Sequence, residues 1–87
     1  MPVLWIPPDL RYLTEGQGEI RVQGKTVGQA LAHLEAIYPG LWKHLCEGEN
    51  LNPYMTVVVD GEASGMGLFE PLKEESEVHF LPSMEGG

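Results

Sequence analysis

Thr26-Val27-Gly28-Gln29-Ala30-Leu31-Ala32-His33-Leu34-Glu35-Ala36-Ile37-Tyr38-Pro39-Gly40 decides the architecture, because it reads as the one long helix of a chain otherwise patterned for strands. Val27, Ala30, Leu31, Leu34, Ile37 and Tyr38 recur at helical spacing and form a single apolar stripe. Thr26 and Gln29 match a capping box: the Thr26 hydroxyl accepts the N–H of Gln29, whose amide can reach back. Pro39-Gly40 stops the helix.

Upstream, Val3-Leu4-Trp5-Ile6 reads as a strand halted by Pro7-Pro8, whose missing N–H groups end regular pairing. Leu10–Leu13 either continue it or begin the turn. Gly16-Gln17-Gly18 reads as a hairpin connection into Ile20-Arg21-Val22, a strand closed by Gly24. Downstream, Leu41–Leu45 reads as a short second helix or turn, and the polar run Glu47–Pro53 as a loop. Tyr54–Val59 is a β-branched strand, and Asp60-Gly61 is a two-residue hairpin turn in which both positions need positive φ. Gly65–Gly67 is loose, Leu68–Leu72 reads as one helical turn, and Val78–Pro82 is the last strand. A hairpin, a helix and a second strand pair predict an α+β fold, a mixed sheet with the helix across one face.

That arrangement leaves the other face uncovered. In the last strand Val78, Phe80 and Pro82 share one face, while His79, Leu81 and Ser83 share the other. If Trp5 and Phe80 face the helix, Ile6 and Leu81 face outward as an apolar patch, a feature that marks docking surfaces. Behind the last strand the sequence closes on Met84-Glu85-Gly86-Gly87. A diglycine packs nothing and loses much backbone entropy when ordered, so it suits a slim tip that another protein's active site can swallow. The expected organisation is a domain over residues 1–83 and a tail over 84–87.

Thirteen acidic residues against five basic ones give the 87-residue chain a net charge of −8, which disfavours nucleic acid and anionic membrane surfaces as partners. No apolar run reaches the roughly 20 residues of a membrane span. Met1–Trp5 lacks the features of a signal peptide, and the lone Cys46 excludes an internal disulfide; both lead to an expected cytoplasmic location. Cys46 reads as structural. His33, His44 and His79 have no metal-ligand spacing, Gly61–Gly67 lacks the Lys-Ser/Thr ending of a phosphate loop, and no nucleophile set appears, so no metal or nucleotide is expected on the chain.

Several segments together resemble the ubiquitin-like sulfur carriers, the group of the molybdopterin synthase small subunit and the thiamine-pathway carrier. They are Val3–Ile6 with Leu10-Arg11, Thr26-Val27-Gly28 with Leu31 and Leu34, Tyr38-Pro39-Gly40, Val57–Glu62, and Leu72, Glu77-Val78, Phe80, Pro82 with Gly86-Gly87. The resemblance covers nearly the whole chain. It departs at Pro7-Pro8, at Lys73–Ser76 and at the tail residues Met84 and Glu85. It implies a β-grasp fold with a mixed sheet of four to five strands and one main helix.

It also implies a carrier rather than an enzyme, or a synthase subunit acted on by others. An adenylating, ubiquitin-activating-like partner would use ATP to activate the Gly87 carboxylate. A sulfur donor would convert it to a thiocarboxylate, for an acceptor synthase subunit in molybdopterin, cysteine or related biosynthesis. In that scheme Gly86 and Gly87 carry the chemistry; Leu81, Ile6 and Met84 dock; Glu85 and the Glu74-Glu75 pair supply charge. The alternative is an ubiquitin-like modifier or binding module using the same tail.

Overall fold

A computed structural model describes residues 1–83. In chain order these form β1 (Val3–Trp5), β2 (Glu19–Arg21), α1 (Val27–Ile37), α2 (Leu41–Leu45), β3 (Cys46–Glu47), β4 (Asn50–Leu51), β5 (Met55–Val59), β6 (Glu62–Ala63) and β7 (Glu77–Pro82). Short 3-10 turns occupy Pro8–Thr14 and Gly67–Phe69. The main sheet runs β2-β1-β7-β5-β6, with β1 and β7 parallel at its centre and every other pair antiparallel. The expected mixed sheet and single long helix are both present.

Helix α1 begins as its sequence requires. Thr26 Oγ1 accepts the Gln29 N–H at 3.1 Å, while the Gln29 side chain accepts from Lys25 N at 2.9 Å, one residue before the cap. Its stripe packs Val27, Ala30, Leu31 and Leu34 against Leu4, Ile6, Val57, Val78 and Phe80 in one core. Ile37, expected on that stripe, is instead 59% exposed, while Tyr38 beyond it packs against the core. Gly24 lets the chain enter the helix closely: a Cβ there would lie 2.5 Å from the backbone N of Ala30. Glu35 ties α1 to the next element, accepting the N–H groups of Gly40 at 2.9 Å and Trp42 at 2.7 Å.

Three further segments differ from the sequence reading. Pro7-Pro8 does end β1, but the chain then coils through Pro8–Thr14 before Gly16–Gly18 turns it into β2, so the first two strands are not joined by a tight hairpin. Residues 47–53 are not all loop: Cys46 pairs with Leu51 and Glu47 with Asn50 in a small ribbon turned at Gly48, φ 63°. The expected helical turn over Leu68–Leu72 is a 3-10 turn displaced to Gly67–Phe69. Asp60 and Gly61, at φ 52° and 86°, make the predicted hairpin between β5 and β6. Among the described residues no helix is long and apolar enough to cross a membrane.

Candidate functional site: the open sheet face and the root of the tail

β7 is the central strand that leads toward the tail. At its start, Asp60 accepts the Glu77 N–H and the Ser76 hydroxyl, each at 2.9 Å, and Val3 N donates to Ser76 O at 2.9 Å. The Glu77 N–H and then the Ser76 hydroxyl hold the Asp60 carboxyl below its ordinary value. At its end the ladder with β5 continues one pair beyond the strand, Ser83 N donating to Tyr54 O at 2.7 Å.

The register lays out the face that α1 leaves uncovered. Glu19, Trp5, His79, Val58 and Ala63 form one row across β2, β1, β7, β5 and β6. The Trp5 and His79 rings stack with centroids 5.1 Å apart and planes 9° from parallel, and the indole Nε1 is buried with no acceptor among the described residues. One pair further toward the tail Leu81, 47% exposed, stands opposite Thr56. The Ser83–Tyr54 bond keeps Tyr54, 78% exposed, in phase with Thr56 and Val58. Leu81 and Tyr54 thus extend the aromatic row toward the root of the tail.

The sequence reading located this face correctly on β7 and wrongly on β1. Phe80 points into the core and Leu81 outward, as expected. Ile6, expected outward beside Leu81, is 1% exposed inside the core, so it is not a docking contact; Trp5 takes the outward position instead. The cause is register: Leu4 pairs with Val78 and Trp5 with His79, and residues paired across a sheet share a face. The sequence alone presents Tyr54 as an ordinary residue of the Tyr54–Val59 strand. Its place directly after Pro53, ahead of the β-branched run, was the available signal.

Glu74 and Glu75 precede β7 and lie at the opposite end of the sheet from Leu81 and Pro82. There they hold the Met1 ammonium at 3.1 and 3.5 Å, and Glu75 meets Arg21 at 3.5 Å. The structure does not bring this pair to Leu81. Met84, Glu85, Gly86 and Gly87 lie outside the described residues. Cys46 is buried, and desolvation, with Glu35 nearby, pushes its thiol up to about 11, which makes it a poor nucleophile at neutral pH. Among the described residues no cluster of histidine, cysteine and carboxylate groups could hold a metal ion.

The Pro7-Pro8 corner opens a groove on the other side of the tail root. It has a volume of about 270 Å³ and runs between the corner, the end of α2 and the last residues of β7; Leu10, Leu45 and Met55 form its floor. The root of the tail is therefore flanked by an aromatic strip on one face and this groove beside the other.

Comparison with known proteins agrees with this geometry. The family model described as the ThiS family matches residues 6–87. The sulfur carrier protein CysO of Mycobacterium tuberculosis is 32% identical over an alignment of 88 positions that covers 94% of each chain. A chain of the Amycolatopsis orientalis BexX/CysO complex superposes with a TM-score of 0.88 at 29% identity, over the whole of both chains. The small archaeal modifier protein 1 of Methanosarcina acetivorans, at 24% identity, shares the fold with a TM-score of 0.78 over 99% of this chain and 95% of its own. With the β-grasp architecture in place and the match spanning nearly every residue, the chain belongs to the ThiS family, among the ubiquitin-like sulfur carriers that its sequence resembles.

Proposed function

We propose that this chain carries sulfur on its C-terminal glycine. A carboxylate is a poor electrophile, so a partner enzyme joins the Gly87 carboxylate to AMP, releasing pyrophosphate from ATP. A donor delivers sulfur at the oxidation level of sulfide, which displaces AMP and leaves a terminal thiocarboxylate. That sulfur is the nucleophile handed to a biosynthetic acceptor. The chain's own share is reach and docking: Gly86 and Gly87 have no side chains to obstruct a narrow channel, and Leu81, with Tyr54 beside it, offers apolar contact at the channel mouth. Met84 and Glu85 complete the contact between domain and channel.

The observation that carries this reading is the family match, which runs through the last strand to Gly87 itself. The test is intact-protein mass spectrometry after incubation with ATP, an adenylating enzyme of the ubiquitin-activating type and a sulfur source. The expected result is a mass gain equal to exchange of one oxygen for sulfur, confined to the C-terminal peptide. Loss of the gain on deleting Gly87, with folding unchanged, completes it. Adducts joining Gly87 to protein lysines in place of the sulfur gain would replace the carrier by a modifier. Absence of both adenylation and adducts across candidate enzymes would overturn the reading.

A further inference from the structure

The parallel ladder between β1 and β7 stops for a reason that leaves a vacancy. Val3 N donates to Ser76 O. With the register Leu4 to Val78 and Trp5 to His79, odd positions of the first strand donate to even positions of the last. Position 5 therefore addresses Val78 O, and position 7 addresses Phe80 O. Position 7 is proline and has no N–H. Ile6 N is turned the other way, to Gly18 O at 2.8 Å.

The other side of β7 cannot supply the missing donor. The bonds Asp60 N to Glu77 O and Ser83 N to Tyr54 O fix the antiparallel phase, so that His79 and Leu81 bond toward β5 while Phe80 and Pro82 face away from it. Among the described residues no turn, loop or side-chain donor reaches Phe80 O or Pro82 O. Two carbonyl oxygens at strand spacing thus line an edge inside a central strand. The groove at the corner runs along this edge: Pro7, Pro8, Phe80, Leu81 and Pro82 are among its walls.

We propose that this vacant edge receives an extended segment of the enzyme that takes up the tail, pairing its backbone with β7 where β1 leaves off. The segment donates N–H groups two residues apart to Phe80 O and Pro82 O, the pattern of strand addition, and sets an apolar side chain on Leu10, Leu45 and Met55. Among the described residues the groove's lining holds one carboxylate, the exposed Asp9, together with the exposed His44, on a chain of net charge −8. Charge complementarity therefore selects a segment carrying Lys or Arg beside Asp9. The inference rests on the carrier reading. It adds that the enzyme grips the tail's root by backbone pairing as well as by apolar contact on the open face.

Pro7→Ala tests it by giving position 7 the missing N–H, so that the chain closes its own edge at Phe80. Pro71→Ala, an exposed proline outside the groove, is the control. Binding to the adenylating enzyme that converts the wild-type chain should weaken about fivefold to tenfold for Pro7→Ala, the effect of losing roughly one net hydrogen bond. Pro71→Ala should stay within about twofold, the scale of an ordinary surface substitution. In wild-type chain labelled with carbon-13 at the phenylalanine and proline carbonyls, the Phe80 and Pro82 resonances should shift on adding the enzyme.

Wild-type affinity for Pro7→Ala, or unmoved carbonyl resonances in a complex that still converts Gly87, overturns the inference and leaves the carrier reading intact. The carbonyl measurement decides alone if Pro7→Ala fails to fold. A Phe80 shift that follows the chain's own concentration puts a second copy in the groove, and one abolished by deleting residues 84–87 puts the chain's own tail there; either overturns the proposal. An enzyme that neither binds nor modifies the wild-type chain overturns the carrier reading and this inference with it.

Discussion

The two faces of one sheet carry opposite duties, and the difference shows where this small domain can accept change. On the covered face Leu4, Ile6, Val57, Val78 and Phe80 are all 3% exposed or less, packed under α1. On the open face the corresponding positions are Trp5, Val58 and His79, half-buried, with Leu81 exposed beyond them. A strand alternates between these settings residue by residue, so neighbours one position apart in sequence are closed into the core and open to contact respectively.

The strongest way to break this contrast is Ile6→Ala beside Leu81→Ala. Truncating Ile6 in a closed core should cost about 2–5 kcal/mol of unfolding free energy, whereas Leu81→Ala should stay within about 0.5 kcal/mol. Denaturant titration of both variants measures it, and equal losses would show that the open face is core after all. Gly24→Ala comes next. Its Cβ would press on the backbone of α1, and a cost of about 1–3 kcal/mol is expected, read as a lower denaturation midpoint. No loss would mean that the segment at Gly24 packs on α1 less closely than 2.5 Å implies.

Ile6 also shows what the sequence could reveal. In β7, Glu77 and His79 alternate with Val78 and Phe80, so the buried parity is legible. Val3-Leu4-Trp5-Ile6 has no polar residue, and an all-apolar strand does not declare which half faces the core; only pairing with β7 fixes it. The helix was legible because its cap, stripe and Pro39-Gly40 stop agree with one another. The ribbon of β3 and β4 was not, since two-residue strands carry no period and its turn depends on Gly48 alone. On the open face, the outward position of Leu81 could be read from alternation, whereas the Trp5–His79 stack and Tyr54 needed the register.

Asp60→Asn sharpens the contrast at the start of β7. Asp60 is exposed, so water limits the loss to roughly 1 kcal/mol or less. Its carboxyl is lowered in the folded chain, so the stabilisation is present above the ordinary carboxylate value and lost as pH falls through the folded one. Thermal melts in that acid range should show wild type losing its advantage while Asp60→Asn stays flat; parallel curves would remove Asp60 from the account. The smallest stability effect is expected for Leu81→Glu, near zero in thermal melting. Its loss should appear as weaker binding and slower sulfur loading by the adenylating enzyme, and unchanged loading would take the open face out of partner recognition.

The central position of β7 has a mechanical consequence. A pull on the end of β7 along its axis would meet a strand flanked on both sides, with three register pairs to β1 and five to β5. Such a load shears the pairs collectively rather than peeling them open one by one. The β-sheet is thus arranged to stay whole under tension applied to its last strand.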